Sequence, residues 1–387
     1  MSEINVLVEQ RIKDLQEKSN LRKSGKYDGI PLWESFPRLG EFLPSIPKGR
    51  MLMISANSGI GKTQAWKGIF LTTLIDFVET HQNCGFKPKF LLFLLEETRD
   101  EFIDSLLSIM LYRKFKLIID PSTLNSEYRT YLSDDILDKL RLIQSDVSKI
   151  LDYLIIEDSV YNPTGAYKMC RKKSHEWGTH YMKKLYNDSN EFITHEEYET
   201  LTPNQKLSWK YSHYTPNDPE QMVIVICDNM NIFTEESGLS RHETMSRWSR
   251  DYCRKQMSKH WQWTIINIVQ QSAESEKQQF DYRGGSIVNK LKPSLDGLGN
   301  NKEIARDHLV ILGLFAPARY LIEEYLGYNI NILKDNFRSL IILKNRGGKT
   351  NLELPLFFNG AISYFKELPK PDKMDEFYKQ IENKNGK

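Results

Sequence analysis

Cysteine is scarce in this sequence. Its four residues, Cys84, Cys170, Cys227 and Cys253, are scattered and form no C-x-x-C pair, which argues against a disulfide framework and suits a reducing cytoplasm. Cys170 can be drawn together with His175 and His180 as metal ligands, but that spacing fits no standard zinc module. An excess of one charge is lacking too: 53 Lys and Arg face 51 Asp and Glu, a net +2. Nothing in bulk announces nucleic acid, so any basic surface must be local. No apolar run approaches the roughly 18 residues of a membrane span, and the N-terminus is polar, so neither a span nor a signal peptide is expected.

What remains is a globular composition, 40% hydrophobic and 27% charged over 387 residues, enough for one large domain or two small ones. Residues 1–28 read as a charged amphipathic helix with a linker, either simply solvated or an arm that docks on a neighbouring subunit. From 29 to 368, apolar strand-like runs alternate with helical stretches, which predicts an α/β fold: a mostly parallel central sheet flanked by helices. The clearest strands are Met51–Ser55, Phe90–Leu95, Tyr153–Ile156, Met222–Cys227, Thr264–Val269, His308–Leu314 and Ser339–Leu343. Two stretches interrupt the alternation. Residues 161–221, rich in Tyr, Lys, His and Asn, read as an insertion, and residues 272–301, rich in Gly, Gln and Lys, read as flexible loops. The tail, 369–387, is charged and expected to fray.

The run ISANSGIGKT, Ile54 to Thr63, ends like a phosphate-binding loop, with Ala56 where the usual G-x-x-x-x-G-K-[ST] pattern begins with glycine. An apolar strand precedes it and a helical pattern follows, which is the context the motif needs. Gly59 and Gly61 let successive backbone N–H groups converge on phosphate oxygens at a helix N-terminus, where the macrodipole also favours negative charge. The expected phosphate-contact set is Ser58, Gly59, Ile60, Gly61, Lys62, Thr63 and Gln64. Lys62 would meet the β- and γ-phosphates and the Thr63 hydroxyl Mg²⁺. Ala56 adds only a methyl group at the loop entrance. The stretch is a nucleotide site.

Two further strands end in acids: Glu96 and Glu97 after FLLFLL, and Asp228 after VIVIC. In open α/β sheets, ligands bind outside the carboxyl ends of strands, where the phosphate loop also lies. An acid there can hold Mg²⁺, and another can orient the water that attacks the γ-phosphate. Asp228 is assigned to the metal and Glu96 to the water, with Glu97 as the fallback base. A third strand runs into Gln270-Gln271, whose amides can sense the γ-phosphate. Lastly, LIILKNRGG delivers Lys344 and Arg346 two residues apart, on one face of a strand. Such basic residues are often only edge charges, yet phosphoryl transfer also needs positive charge on the γ-phosphate, often from a neighbouring chain.

The order ANSGIGKT, LLEE, VICDNM, INIVQQ and LKNRGG resembles the RecA-like motor of DnaB-type hexameric replicative helicases, over roughly residues 29 to 365. The Ala-first phosphate loop is similar to the family's own version. The resemblance implies ATP and Mg²⁺ as cofactors, Lys62 and Thr63 on phosphate and metal, Glu96 as catalytic base, Asp228 as the Walker B acid and Gln271 as sensor. It implies a homo-oligomer, a hexamer, in which Lys344 and Arg346 act in trans on the next subunit's ATP. Single-stranded DNA is the implied track, with 5′–3′ polarity, and a primase or loader protein the implied partner. The sensor stretch reads QQSAE where the family has S-Q followed by Leu-Asn-Arg, so Gln270 and Gln271 both stay open. The likeness is to the motor alone, without a helical collar or primase domain, which points to a pared-down, phage-like motor.

DNA contacts are expected from the loops, at Lys277, Arg283, Lys290, Lys292, Gly299 and Lys302, because a ring multiplies a few charges per subunit into an electrostatic funnel. The insertion interleaves Lys168, Arg171, Lys172, Lys173, Lys183 and Lys184 with Tyr167, Trp177, Tyr181 and Tyr186; nucleic acid, a partner protein or a plain structural role all suit that mixture. Two other functions share the phosphate loop: a RecA- or KaiC-like ATPase of recombination or signalling, and a non-enzymatic scaffold that uses ATP only to assemble.

Overall fold

The computed structural model describes residues 3–385 apart from 28, 82, 128–130, 186–190, 273–287 and 351. One sheet of nine strands organises them. In chain order these are β1 (Met51–Ala56), β2 (Lys87–Leu94), β3 (Leu154–Glu157), β4 (Gln221–Asp228), β5 (Thr264–Gln270), β6 (Val310–Phe315), β7 (Phe337–Asn345), β8 (Glu353–Asn359) and β9 (Tyr364–Glu367). Across the sheet they run β9-β8-β7-β6-β1-β5-β4-β2-β3. From β6 to β3 the pairings are parallel, and β7, β8 and β9 join antiparallel.

Period-2 alternation explains why these strands read as unbroken apolar runs. Leu52, Ile54, Leu92, Ile224 and Ile226 face one core, while Met51, Met53, Leu91, Val223 and Val225 face a second. Helices cover both sides, as a parallel sheet requires. The first core is roofed by the helices Arg99–Phe115 and Asp134–Leu151, and the second by Pro163–Trp177 and the turns of Arg247–Ser258.

Every expected strand is present, and after Gly347-Gly348 the chain returns as β8. β9 was not anticipated, because four residues beside a charged tail carry no pattern. The described parts of 161–221 form regular elements. Its helix Pro163–Trp177 lays Ala166 and Cys170 into the second core. A three-stranded antiparallel sheet of Gly178–Lys184, Phe192–Thr194 and Trp209–Pro216 follows it. Within the tail, where fraying was expected, the helix Asp375–Asn385 docks Phe377, Tyr378 and Ile381 on a third cluster around Tyr328, Leu333 and Phe337. Its charges hid that stripe. The N-terminal arm is a helix, Glu3–Lys23, on which Val8, Ile12 and Leu15 share one exposed face. No described helix is long and apolar enough to cross a membrane.

Candidate nucleotide site at the strand ends

Parallel pairing brings the candidate residues together. Gln270 lies opposite Ala56 and Asp228 opposite Leu94, so the loop after β1 and the ends of β2, β4 and β5 share one edge. Ala56 is the last residue of β1 and its methyl group is buried in the first core. The position is extended strand, which any small residue fits. The glycines that the loop needs come later: Gly59 has φ +70° and Gly61 φ +102°, and a Cβ on Gly61 would fall 2.9 Å from the Phe358 ring. The helix begins at Lys62, whose Nζ donates to the Asn57 carbonyl at 3.1 Å.

The two glutamates are unlike. Glu96 is exposed at the strand end and accepts from the Asn229 amide at 2.9 Å. Glu97 is drawn inward and pairs with the buried Lys67 at 2.7 Å. Burial raises the Glu97 carboxyl above its ordinary pKa, and Lys67 opposes the shift. The inward glutamate is therefore occupied by an ion pair, and the outward one is open to a water.

Asp228 is buried. One of its oxygens accepts from the Trp66 indole at 2.6 Å, and the other has no hydrogen-bond partner among the described residues. Burial raises its pKa first of all; the Trp66 indole, the Thr63 hydroxyl and Lys67 hold it down, and Glu96 adds to the rise. An orphaned buried carboxylate oxygen beside a threonine hydroxyl is a donor set that suits a hard, oxygen-seeking cation such as Mg²⁺. Gln271 is buried, and its amide nitrogen donates to Ser55 Oγ at 2.8 Å and to the Ser294 carbonyl at 3.2 Å. It thus touches the root of the phosphate loop on one side and the 272–301 segment on the other. Gln270 is held through its backbone N–H, which donates to Asn231.

Lys344 and Arg346 are not at this edge. β7 runs antiparallel to β6, so Asn345 lies opposite Val310, which is itself opposite Leu52 near the start of β1. The length of a strand, roughly 15 Å at about 3.3 Å per residue, separates the pair from this chain's own phosphate loop. Lys344 Nζ donates to the Ala305 carbonyl at 2.5 Å, and Arg346 is exposed.

Of the expected DNA contacts, Lys277 and Arg283 lie outside the described residues. Lys290 is exposed on the short helix Val288–Leu291, and Gly299 lies in the turn Asp296–Asn301. Lys302 pairs with Asp296 at 2.9 Å. Lys292 is turned inward, pairing with Glu353 at 2.7 Å beside the Tyr325 ring, so it is placed as a packing residue and not as an open charge. In the insertion, Lys173, Lys184 and Lys206 pair with Glu176, Glu191 and Glu199. His180 is wedged between Ser174 and Tyr211, and no group of three or more metal ligands is formed among the described residues.

Sequence reasoning missed several residues. Trp66 and Asn229 orient the two acids, Arg319 donates to the Ser58 carbonyl, Asn57 donates to the Tyr320 hydroxyl at 2.6 Å, and Arg338 grips the Ile60 carbonyl. The one legible signal was an arginine inside the apolar run of β7.

This nine-stranded, mostly parallel sheet with helices on both sides has the RecA-like fold. It is shared over nearly the whole chain with two solved structures. The ATPase domain of G40P matches with a TM-score of 0.62 at 17% identity, covering 95% of this chain and 100% of that one. A DnaB-like replicative helicase, described with its interactions with primase, matches with a TM-score of 0.60 at 17% identity, covering 94% of this chain and 71% of that one. No protein-family model matches the sequence, and no curated protein does.

Proposed function

We propose that the chain is an ATP-hydrolysing, ring-forming motor that translocates on single-stranded DNA as a replicative helicase. Ser58 to Gln64 hold the phosphates, with Thr63 and Asp228 on Mg²⁺, Glu96 orienting the attacking water and Gln271 reporting the γ-phosphate. Bound Mg²⁺ would supply charge neutralisation at the phosphate oxygens. The observation that carries this reading is the position of Lys344 and Arg346 at the far end of the sheet from their own phosphate loop. An arginine there reaches a nucleotide only on another copy, which is what a site shared between subunits requires.

Two complementary surfaces support assembly. The arm presents Val8, Ile12 and Leu15 to solvent, and an apolar groove lined by Ile103, Leu107, Leu140, Val147 and Leu151 lies open between two helices of the motor. Docking one copy's arm in the next copy's groove closes a ring, taken as a hexamer from the resemblance, as is the 5′–3′ polarity. DNA would run past Lys277, Arg283, Lys290, Gly299 and Lys302. A primase or loader partner rests on the likeness to a helicase described with primase.

The test is light scattering with and without ATP and single-stranded DNA, together with ATPase assays at low salt. The expected result is a nucleotide-dependent oligomer whose turnover rises with DNA and falls back as salt screens the phosphate contacts. A persistent monomer whose turnover ignores DNA would overturn the proposal.

A further inference from the structure

Arg338, the second residue of β7, is only 1% exposed. Its Nε donates to the Ile60 carbonyl at 2.7 Å. One terminal nitrogen donates to the carbonyls of Asp335 and Phe337, at 2.7 and 2.8 Å, and the other to the Asp335 carboxylate at 2.9 Å. The guanidinium lies 4.3 Å from the centre of the Phe358 ring, the same ring that closes on Gly61. Asp335 is 85% exposed. Among the described residues, then, a cation is buried with its one carboxylate partner at the water's edge, and its other donors go to backbone carbonyls. Burial works against that charge. A fold that needed only volume here would be served by an aliphatic chain.

We infer that Arg338 is a positioning residue of the phosphate loop: by holding the Ile60 carbonyl beneath the loop it aims the Gly61 N–H at the bound phosphate. The inference rests on the nucleotide reading above. A trans peptide sets its C=O and N–H on opposite sides. Pinning the Ile60 oxygen on Arg338 therefore turns the Gly61 N–H to the other side of the loop. Gly61 is the residue before the helix at Lys62, so its N–H has no place in the helix ladder, and among the described residues no backbone carbonyl takes it. The ligand class this selects is a nucleoside di- or triphosphate, read through its phosphates and not through its base.

Calorimetric titration of wild type and Arg338→Gln with Mg-ADP and with inorganic pyrophosphate tests this, alongside melting of the nucleotide-free proteins. Wild type should bind both, and Arg338→Gln should lose about tenfold or more in affinity for each. Asp335→Ala leaves the Nε contact in place and should change either affinity by less than about threefold. A lower melting temperature with affinities within about twofold of wild type would make Arg338 purely structural and overturn the inference. An equal loss in Asp335→Ala would also overturn it, assigning the effect to buried charge and not to the carbonyl contact. If Arg338→Gln does not fold, Arg338→Lys, which keeps the charge without the planar fork, takes its place with the same expected loss. Wild type that bound neither ligand would sink the nucleotide reading itself, a result distinct from failure of Arg338 alone.

Discussion

The indole N–H of Trp66 and the carboxylate of Asp228 meet at 2.6 Å inside the protein, leaving the second carboxylate oxygen without a partner among the described residues. The indole fixes which oxygen is spoken for. Trp66→Phe keeps an aromatic ring against Phe102, on which Trp66 is stacked at 5.9 Å, and removes the hydrogen bond together with part of the buried ring. Bonds to charged groups contribute about 1.5–3 kcal/mol, so this variant should need roughly tenfold more Mg²⁺ for half-maximal ATPase. Asp228→Asn should abolish the Mg²⁺-dependent rate. A magnesium titration at saturating ATP decides it, and an unchanged midpoint in Trp66→Phe would show that the indole does not set the carboxylate.

The adjacent glutamates should fail in different ways. Glu96→Gln should fold and bind ATP normally while losing about 10²–10⁴ in turnover, the usual range for a general base. Glu97→Gln leaves the buried Lys67 without its charged partner, which costs about 3–5 kcal/mol and should appear in urea unfolding. Lys62→Ala should bind no nucleotide. If Glu97→Gln kept full stability and lost turnover instead, the roles would be reversed.

The strands and the glycine turn before the helix at Lys62 were legible in the sequence because each is a local pattern: an apolar run, or fixed residues at fixed spacing. The acids at the strand ends were legible for the same reason, through the rule that parallel strands deliver ligand groups at one edge. What stayed hidden depends on register. That Lys67 claims Glu97, that Asn229 holds Glu96, and that Glu353 claims Lys292 are facts of side chains 30, 133 and 61 residues apart. Arg338 was visible only as a charge in an apolar strand, and its partner Ile60 lies 278 residues away.

Acid should weaken the fold through His308. Its Nδ1 faces the Ile304 carbonyl at 2.8 Å and its Nε2 the Asn267 amide nitrogen at 2.9 Å. The Trp248 indole donates to the Asn267 oxygen at 3.0 Å, which fixes the amide so that His308 Nε2 must accept. Burial, with Lys344 and Arg254 nearby, pushes the histidine down to about 4. The unfolded chain, near the ordinary value of about 6.5, binds more protons in that window. Stability is therefore full above about 6.5 and is lost as pH falls toward 4. From pH 7 to 5 the loss from this one residue should be about 1–2 kcal/mol. Urea unfolding at a series of pH values measures the slope, and His308→Gln should flatten it; an unchanged slope would acquit His308.

The shared site is open to a direct test. If Arg346 serves a neighbour's ATP, each working site joins Glu96 of one chain to Arg346 of the next. Arg346→Ala should then bind ATP yet lose about 10³-fold or more in turnover, because an arginine finger stabilises charge that develops only in the transition state. Glu96→Gln should be equally inactive for a separate reason. Mixed under conditions that let subunits exchange, the two inactive variants should recover activity, since some interfaces then pair an intact Glu96 with an intact Arg346. A cis site would show no recovery at any mixing ratio, because each chain would carry one broken half of its own site. The antiparallel register of β7, which puts Arg346 a strand's length from its own loop, is the physical reason to expect recovery. Full activity of Arg346→Ala alone would leave Arg346 as a plain surface charge.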